Sequence, residues 1–292
     1  GNMVQANSIA VSINNALGIN QTYVGIIVAL LMGAVILGGI KQIGKVTEIL
    51  VPFMAFFYIA GGLVVIILNI QNLLPALKMI IVGAFSPQAV GGGVLGATIR
   101  EAFRYGIARG IFSNEAGLGS TPHAHAIARV NHPAEQGFVA MVGVFIVTGI
   151  ICTMTALVIL TAGADYTKAT GAILSQMAFA KSFGNWFGPK FLAAALFFFA
   201  YSTLLGWYYF AETNIRFLFG SKPVNIFKII VLLLIVFGST LEVKLVWALA
   251  DFFNGLMIIP NLIGVLGLST IALSIFKEYE KEIFPNMIRK TV

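Results

Sequence analysis

The sequence predicts an all-α integral membrane protein with several spans. Three observations predict it. Of 292 residues, 59% are hydrophobic and only 10% are charged, whereas soluble domains run at about 45–50% apolar and about 25% charged. The mean hydropathy is +0.94. Apolar runs of roughly 20 residues recur, each long enough to cross the ~30 Å hydrocarbon core of a bilayer as a helix. Charges this sparse do not clothe a water-facing surface, so lipid is the solvent the composition fits.

The elements follow in order. Residues 1–17 read as a partly polar helix end. Residues 23–40 form a clean span, and Lys41-Gln-Ile-Gly-Lys45 follows as a turn. Residues 47–70 form a long span with Pro52 near its start, where proline is tolerated. Residues 73–85 are short and amphipathic, which suits an interfacial helix. Residues 94–130 mix apolar side chains with Arg100, Glu101, Arg104, Arg109 and Glu115. Then come 136–162, a helical piece at 171–183 and a span over 190–219. Two more apolar runs, 224–238 and 245–259, follow, the second continuing past Pro260 to 275. Residues 277–292 are a charged, solvated tail.

The formal net charge is +7. Its carriers are scattered between apolar runs rather than clustered, which argues for the positive-inside rule and against a nucleic-acid partner. Basic links alternate along the chain: Lys41 and Lys45, then Arg129, then Arg216 with Lys222, then Lys277, Lys281, Arg289 and Lys290. This places the Lys41–Lys45 link and the C-terminus in the cytoplasm, although Lys168, Lys181 and Lys190 fall in a link assigned outside. The single cysteine, Cys152, sits in an apolar run and leaves no intrachain disulfide or cysteine-based zinc site. Residues 1–7 lack the basic and apolar regions of a signal peptide. The chain opens on Gly-Asn-Met as if inside a helix, so an N-terminal truncation is expected.

The sharpest feature lies at residues 106–125. Gly106, Gly110, Gly117, Gly119 and Pro122 surround Ser113-Asn114-Glu115. Non-helical backbone at membrane depth persists only where protein or a water-filled cavity satisfies its N–H and C=O groups. A helix broken there aims positive amide dipoles at an anion and free carbonyls at a cation. An amino acid carries one charge of each kind. The bland reading is a kinked structural helix with glycines for close packing; the polar triplet argues against it, because polar groups are expensive in lipid. Glu115, the only acid in residues 104–134, is open to three roles: cation ligand, proton relay, or partner of Arg109. His123 and His125 stand two apart, on different faces of a helix, which is poor spacing for a metal.

A second polar island lies inside the span at 190–219. Ser202 and Thr203 are adjacent hydroxyls near its middle. Oxygen ligands suit a hard cation such as sodium, while back-bonding to a carbonyl one turn earlier is the plain structural alternative. Trp207, Tyr208 and Tyr209 follow by a turn, as cavity wall or interface belt. Glu212 and Arg216, four apart, are placed to pair. Gln5, Asn7 and Ser8 form a polar face on the first helix.

Three segments carry a family likeness. The run Gly110-Ile-Phe-Ser-Asn-Glu-Ala-Gly-Leu-Gly-Ser-Thr-Pro-His-Ala-His-Ala126, followed by His132-Pro-Ala-Glu-Gln-Gly137, resembles the signature region of the alanine or glycine:cation symporter family. Gly1-Asn-Met-Val-Gln-Ala-Asn-Ser8 and Tyr201-Ser-Thr-Leu-Leu-Gly-Trp207 are similar to further family motifs.

The resemblance implies an inverted-repeat amino-acid transporter fold, in which two five-helix repeats each open on a broken helix. Residues 1–70 would be the third to fifth core helices of an incomplete first repeat. Residues 71–93 would be an extracellular interfacial link, 94–276 a second repeat with its first helix broken at 110–120, and 277–292 a cytoplasmic tail. It implies sodium-coupled import of alanine or glycine through a prokaryotic inner membrane, with sodium as coupling ion, no cofactor and no enzymatic activity. By position, Phe112, Ser113 and Gly117 would meet the substrate's charged ends, and Gln5 and Trp207 would line its pocket. Ser202 and Thr203 would complete the sodium site. Asn114, Glu115, Gly110 and Gly119 would support the unwound turn. Three rivals stand beside this: a proton-coupled carrier using Glu115, a channel, and a membrane-embedded metal enzyme using His123, His125 and Glu115.

Overall fold

A computed structural model describes residues 1–85, 99–165 and 167–283. The later part of the expected 71–93 link, residues 94–98 of the next segment and the tail beyond 283 lie outside the described residues. Among the described residues every regular element is helical. The helices are α1 (Asn2–Leu17), α2 (Gln21–Ile36), α3 (Gly39–Leu68), α4 (Leu73–Phe85), α5 (Ile99–Asn114) and the one-turn α6 (Pro122–His125). They continue as α7 (Pro133–Phe145), α8 (Thr153–Thr161), α9 (Gly171–Phe183), α10 (Gly188–Phe219), α11 (Val224–Thr240) and α12 (Val243–Glu278). A π-helical stretch, Ile146–Cys152, fuses α7 to α8, and a second, Tyr279–Ile283, extends α12.

Among the described residues, four helical stretches are long and apolar enough to cross a membrane: Gly39–Leu68, Pro133–Thr161, Gly188–Phe219 and Val243–Lys281. Shorter apolar helices, Gln21–Ile36 and Val224–Thr240, accompany them. Large apolar side chains such as Leu30, Phe56, Phe145, Leu233 and Ile263 are exposed, the reverse of a soluble surface and the pattern of a lipid-facing one. The chain is therefore a multi-span bundle of membrane helices.

Two compact units divide the chain. The first comprises Gly1–Arg104 and Ile151–Ala250. One of its cores joins Ile9 of α1, Met32 and Ile36 of α2, Leu204, Leu205 and Tyr208 of α10, and Ile235 of α11. A second core joins Tyr58 and Val65 of α3, Val158 of α8, Phe179 of α9 and Leu192 of α10. Gly61 and Gly62 let α3 approach closely, since a Cβ on either would overlap Phe191 or Met154. Side-chain amides tie these helices: Gln176 donates to the Ser12 carbonyl at 2.9 Å, and Asn7 donates to the carbonyls of Gly238 at 3.1 Å and Leu241 at 2.7 Å. The second unit comprises Tyr105–Ile150 and Asp251–Val292. Phe138 of α7 meets Phe276 of α12, and His132 and Phe138 meet the buried Tyr279.

Some boundaries move from the expected ones. Lys41–Lys45 is not a turn: it lies inside α3. Lys, Gln and Ile are competent helix formers, and the chain turns earlier, at Leu37–Gly38, with Gly39 at φ 67°. Pro52 consequently sits well inside α3 rather than near its start. The tail residues 277–283 are helical, and Tyr279 packs instead of facing solvent.

Candidate functional site

In the second unit, α5 stops at Asn114 and the chain resumes only as the single turn Pro122–His125. The stop is set by Glu115, at φ 58°, the non-glycine residue with positive φ among those described. A left-handed residue just past a helix ends the i→i−4 ladder, and that place is usually taken by glycine. Gly117 at φ 82° and Gly119 at φ 94° continue the unwinding, a region that side chains with a Cβ avoid. The last helical bond is Glu115 N–H to the Ile111 carbonyl at 2.8 Å. Among the described residues, the carbonyls of Ser113 and Asn114 and the N–H groups of Gly117 and Gly119 have no hydrogen-bond partner. Peptide dipoles of both signs thus lie within seven residues. Gly110, expected at the start of the break, is still helical, so the interruption is residues 115–121.

Side chains brace this turn. Asn114 Oδ1 accepts from the Ala116 N–H at 2.9 Å, and its Nδ2 donates to Thr148 Oγ1 at 3.0 Å. Thr148 lies in the π-helical stretch, a local irregularity common near functional sites. Glu115 accepts a short hydrogen bond from the Ser120 hydroxyl. Ser113 donates to the Gly110 carbonyl at 2.9 Å. Phe112, on the last turn of α5, is half-buried. The His123 ring bonds the Ser120 carbonyl at 2.8 Å, and His125 pairs with Gln136 at 2.7 Å.

Three features here were not singled out from sequence. Arg109 makes a bidentate ion pair with Asp251 at 2.5 and 3.0 Å. Asp251 was legible as a lone carboxylate in an apolar run, which in a membrane marks a paired or functional group. Asn261 donates to the Gly117 carbonyl at 2.9 Å. Thr148 gave no signal, because hydroxyls are common in spans.

In the first unit, α10 stays helical through its polar island. The hydroxyls of Ser202 and Thr203 both donate to the Phe199 carbonyl at 2.9 Å. Ser202 is buried and Thr203 half-buried. Each oxygen gives its proton to the backbone and keeps lone pairs free to accept. Trp207 lies four residues after Thr203, on the same face, and its indole covers Gly1. Gln5 is one turn beyond Gly1 on α1, half-buried, and its side-chain amide has no hydrogen-bond partner among the described residues. The unit thus places Trp207 against the start of α1, one turn before Gln5. Asn7 and Ser8 instead line a cavity of about 600 Å³ together with Thr170, Ser175 and Trp247. Glu212 and Arg216 pair at 2.5 Å. Outside the spans, Thr167 and then Lys168 hold the Asp165 carboxyl below the usual carboxylate range. Among the described residues no group of three or more His, Cys, Asp or Glu is placed to hold a metal ion.

Fold and site together define a multi-span helical membrane protein with an unwound segment of the kind used to bind small charged solutes. Comparison with known sequences is more particular: the profile of the sodium:alanine symporter family matches residues 1–289, and the chain belongs to that family. It is 43% identical over 285 residues to the sodium/alanine symporter of Methanococcus maripaludis, covering 96% of this chain and 62% of that protein. It is 41% identical over 283 residues to the amino-acid carrier protein AlsT of Bacillus subtilis, covering 96% of this chain and 59% of the carrier. The same identity relates it to the probable sodium/glutamine symporter GlnT of that organism, over 96% of this chain and 58% of the relative. The chain spans about three fifths of the length of these relatives.

Proposed function

We propose that this chain forms the greater part of a sodium-coupled symporter that imports alanine or glycine. One observation carries the reading: helix α5 ends in mid-sequence at Asn114, and 115–121 leaves unpartnered peptide groups of both signs. A carboxylate suits the free amides of Gly117 and Gly119, and an ammonium suits the free carbonyls of Ser113 and Asn114. Phe112, on the last turn of α5, restricts the side chain to a small one; in the first unit Gln5 offers a donor and an acceptor, and Trp207 covers Gly1. The lone pairs of Ser202 and Thr203 supply two oxygens to sodium. Asn114, Glu115 and Gly119 keep the unwound turn in shape, whereas Gly110 stays inside α5.

The wider architecture follows the same reading. Residues 1–70 complete a first five-helix repeat, 71–93 form an extracellular link, and 94–276 form an inverted second repeat opening on the broken helix. The protein resides in the inner membrane of a prokaryote, and residues 277–292 lie in the cytoplasm with the Lys41–Lys45 end of α3. Sodium binding favours an outward-facing state with the pocket formed; the amino acid then favours closure and passage inward.

Proton coupling is the second reading. A relative from Bacillus sp. strain PS3, 36% identical over 96% of this chain, carries the name sodium/proton-dependent alanine carrier protein. Uptake of radiolabelled alanine by the full-length protein in vesicles, at fixed pH, separates the two. A sodium gradient is expected to drive accumulation. Uptake that ignores sodium and follows a pH gradient selects the proton reading, and no uptake of any small neutral amino acid sinks both.

A further inference from the structure

We propose that Asn261 is the positioning residue of the unwound segment, a role that rests on the reading of 115–121 as the substrate turn. Two contacts reach the segment from this one side chain. Its Nδ2 donates to the Gly117 carbonyl at 2.9 Å. Its Cβ and Cγ also lie so close to Gly119 that a Cβ added there would stand 2.9 and 3.1 Å from them. Both glycines are left-handed, at φ 82° and 94°, and Asn261 touches both.

The consequence concerns which dipoles a ligand meets. Without Asn261 the Gly117 carbonyl would have no hydrogen-bond partner among the described residues, and the Gly117 peptide would be free to rotate. With the Gly117 carbonyl occupied, that peptide plane is fixed, and its neighbours keep one orientation. Asn261 thereby fixes the orientation of one peptide in the middle of the unwound segment. Gly119 is constrained twice, by its φ and by the Asn261 side chain against its Cα.

The support is itself held. Asn261 follows Pro260 inside α12, where the missing proline N–H leaves the carbonyl four residues earlier without its helical donor. Ten residues earlier on α12, about 15 Å along the axis, Asp251 grips Arg109 on α5 through two hydrogen bonds. The helix leading into the break and the break itself are therefore tied to one element at two points. A polar side chain on an apolar helix is costly in lipid, and here its donor has a partner.

The test uses the full-length protein with Asn261→Leu, which keeps the shape and removes the donor without adding charge, and Asn261→Ala as the smaller variant. Hydrogen–deuterium exchange of the ligand-free protein reads the segment directly. The hydrogen-bonded amides of 115–121, Glu115, Ala116 and Leu118, are expected to exchange roughly tenfold faster in both variants, with α9 and α10 unchanged, as loss of one supporting hydrogen bond predicts. The KM for alanine is expected to rise about three- to tenfold, with the maximal rate changed less. Exchange at 115–121 within twofold of wild type in both variants overturns the role. If the wild type fails to transport but the variants still loosen 115–121, the functional reading falls and the positioning role stands.

Discussion

The two polar islands, Ser202–Thr203 on α10 and residues 113–121 after α5, solve the same problem in opposite ways. On α10 each hydroxyl bonds back to Phe199 within its own helix, so the helix runs unbroken through a buried serine. After α5 the backbone itself gives way, and polar side chains are recruited from other elements: Thr148 from the π-helical stretch and Asn261 from α12. The first island offers side-chain oxygens on a rigid rod. The second offers peptide groups on a braced loop. Side-chain oxygens at fixed spacing suit a small spherical ion. A curved run of dipoles suits a ligand with two separated charges. The division of labour proposed between sodium and amino acid follows from that contrast.

The hardest blow to this comparison is Ser202→Ala with Thr203→Ala. Both hydroxyls are satisfied within α10, so their loss leaves the helix intact, and helicity by circular dichroism should not change. Sodium-stimulated alanine uptake is expected to vanish. If sodium dependence survives, the hydroxyls are only back-bonded structural groups, and the two islands no longer divide the ligands between them.

Gly119→Ala strikes the other island. The new methyl meets the Asn261 side chain and must sit at φ 94°. Strain of this kind costs on the order of 1–3 kcal/mol, so alanine affinity should fall roughly 5- to 150-fold. Gly110→Ala is the control, since Gly110 is helical and a Cβ there meets nothing within 4 Å. Equal losses in the two variants, measured by substrate binding to the purified protein, would remove the distinction between a helical glycine and an unwinding one.

Much of this was legible in the sequence, for reasons that differ by element. Helices α4 and α9 begin and end where composition changes, at 73–85 and 171–183, because polar links bound short apolar runs. The interruption was visible because Gly117, Gly119 and Pro122 surround charged and amide residues that no lipid-facing helix carries. Its onset was misplaced by five residues, since Gly106 and Gly110 look like breakers and are not. Glu115, which does end the helix, has no propensity for the left-handed conformation it takes. The Lys41–Lys45 segment misled in the other direction: its charges suggested a link, while the Gly38–Gly39 pair made the turn. Asp251 and Asn261 act through partners distant in the chain, 142 and 144 residues away; the pattern within a helix shows that a lone carboxylate needs a partner but does not name it.

The Arg109–Asp251 pair sharpens the contrast at lower amplitude. Both side chains are about one third exposed, so solvent screens the pair. Its worth lies between the ~0–1 kcal/mol of a surface pair and the ~3–5 kcal/mol lost when a buried pair is broken. Arg109→Leu or Asp251→Leu alone is expected to lower the melting temperature of the detergent-solubilised protein by a few degrees. The double substitution should recover most of that loss, because no charge is left without a partner. A double variant as unstable as the sum of the singles would make the pair incidental.

The smallest effect belongs to a carboxylate outside the spans. Asp165 accepts from the Thr167 hydroxyl at 2.5 Å and its N–H at 3.0 Å, and pairs with Lys168 at 3.2 Å. These contacts favour the ionised form and hold its pKa low. A lowered folded-state pKa stabilises the protein above the unfolded value, about 3.9, and that contribution fades as pH falls through the folded value. Asp165→Asn should therefore melt slightly below wild type at pH 5–7, with a constant gap, and the gap should close in stronger acid as the wild-type carboxyl takes up its proton. Because its partners lie within three residues on the same loop, the gap should stay well under that of Asp251→Leu. If Asp165→Asn destabilised as much as Asp251→Leu, the contrast between the local pair and the cross-helix pair would lose its physical basis.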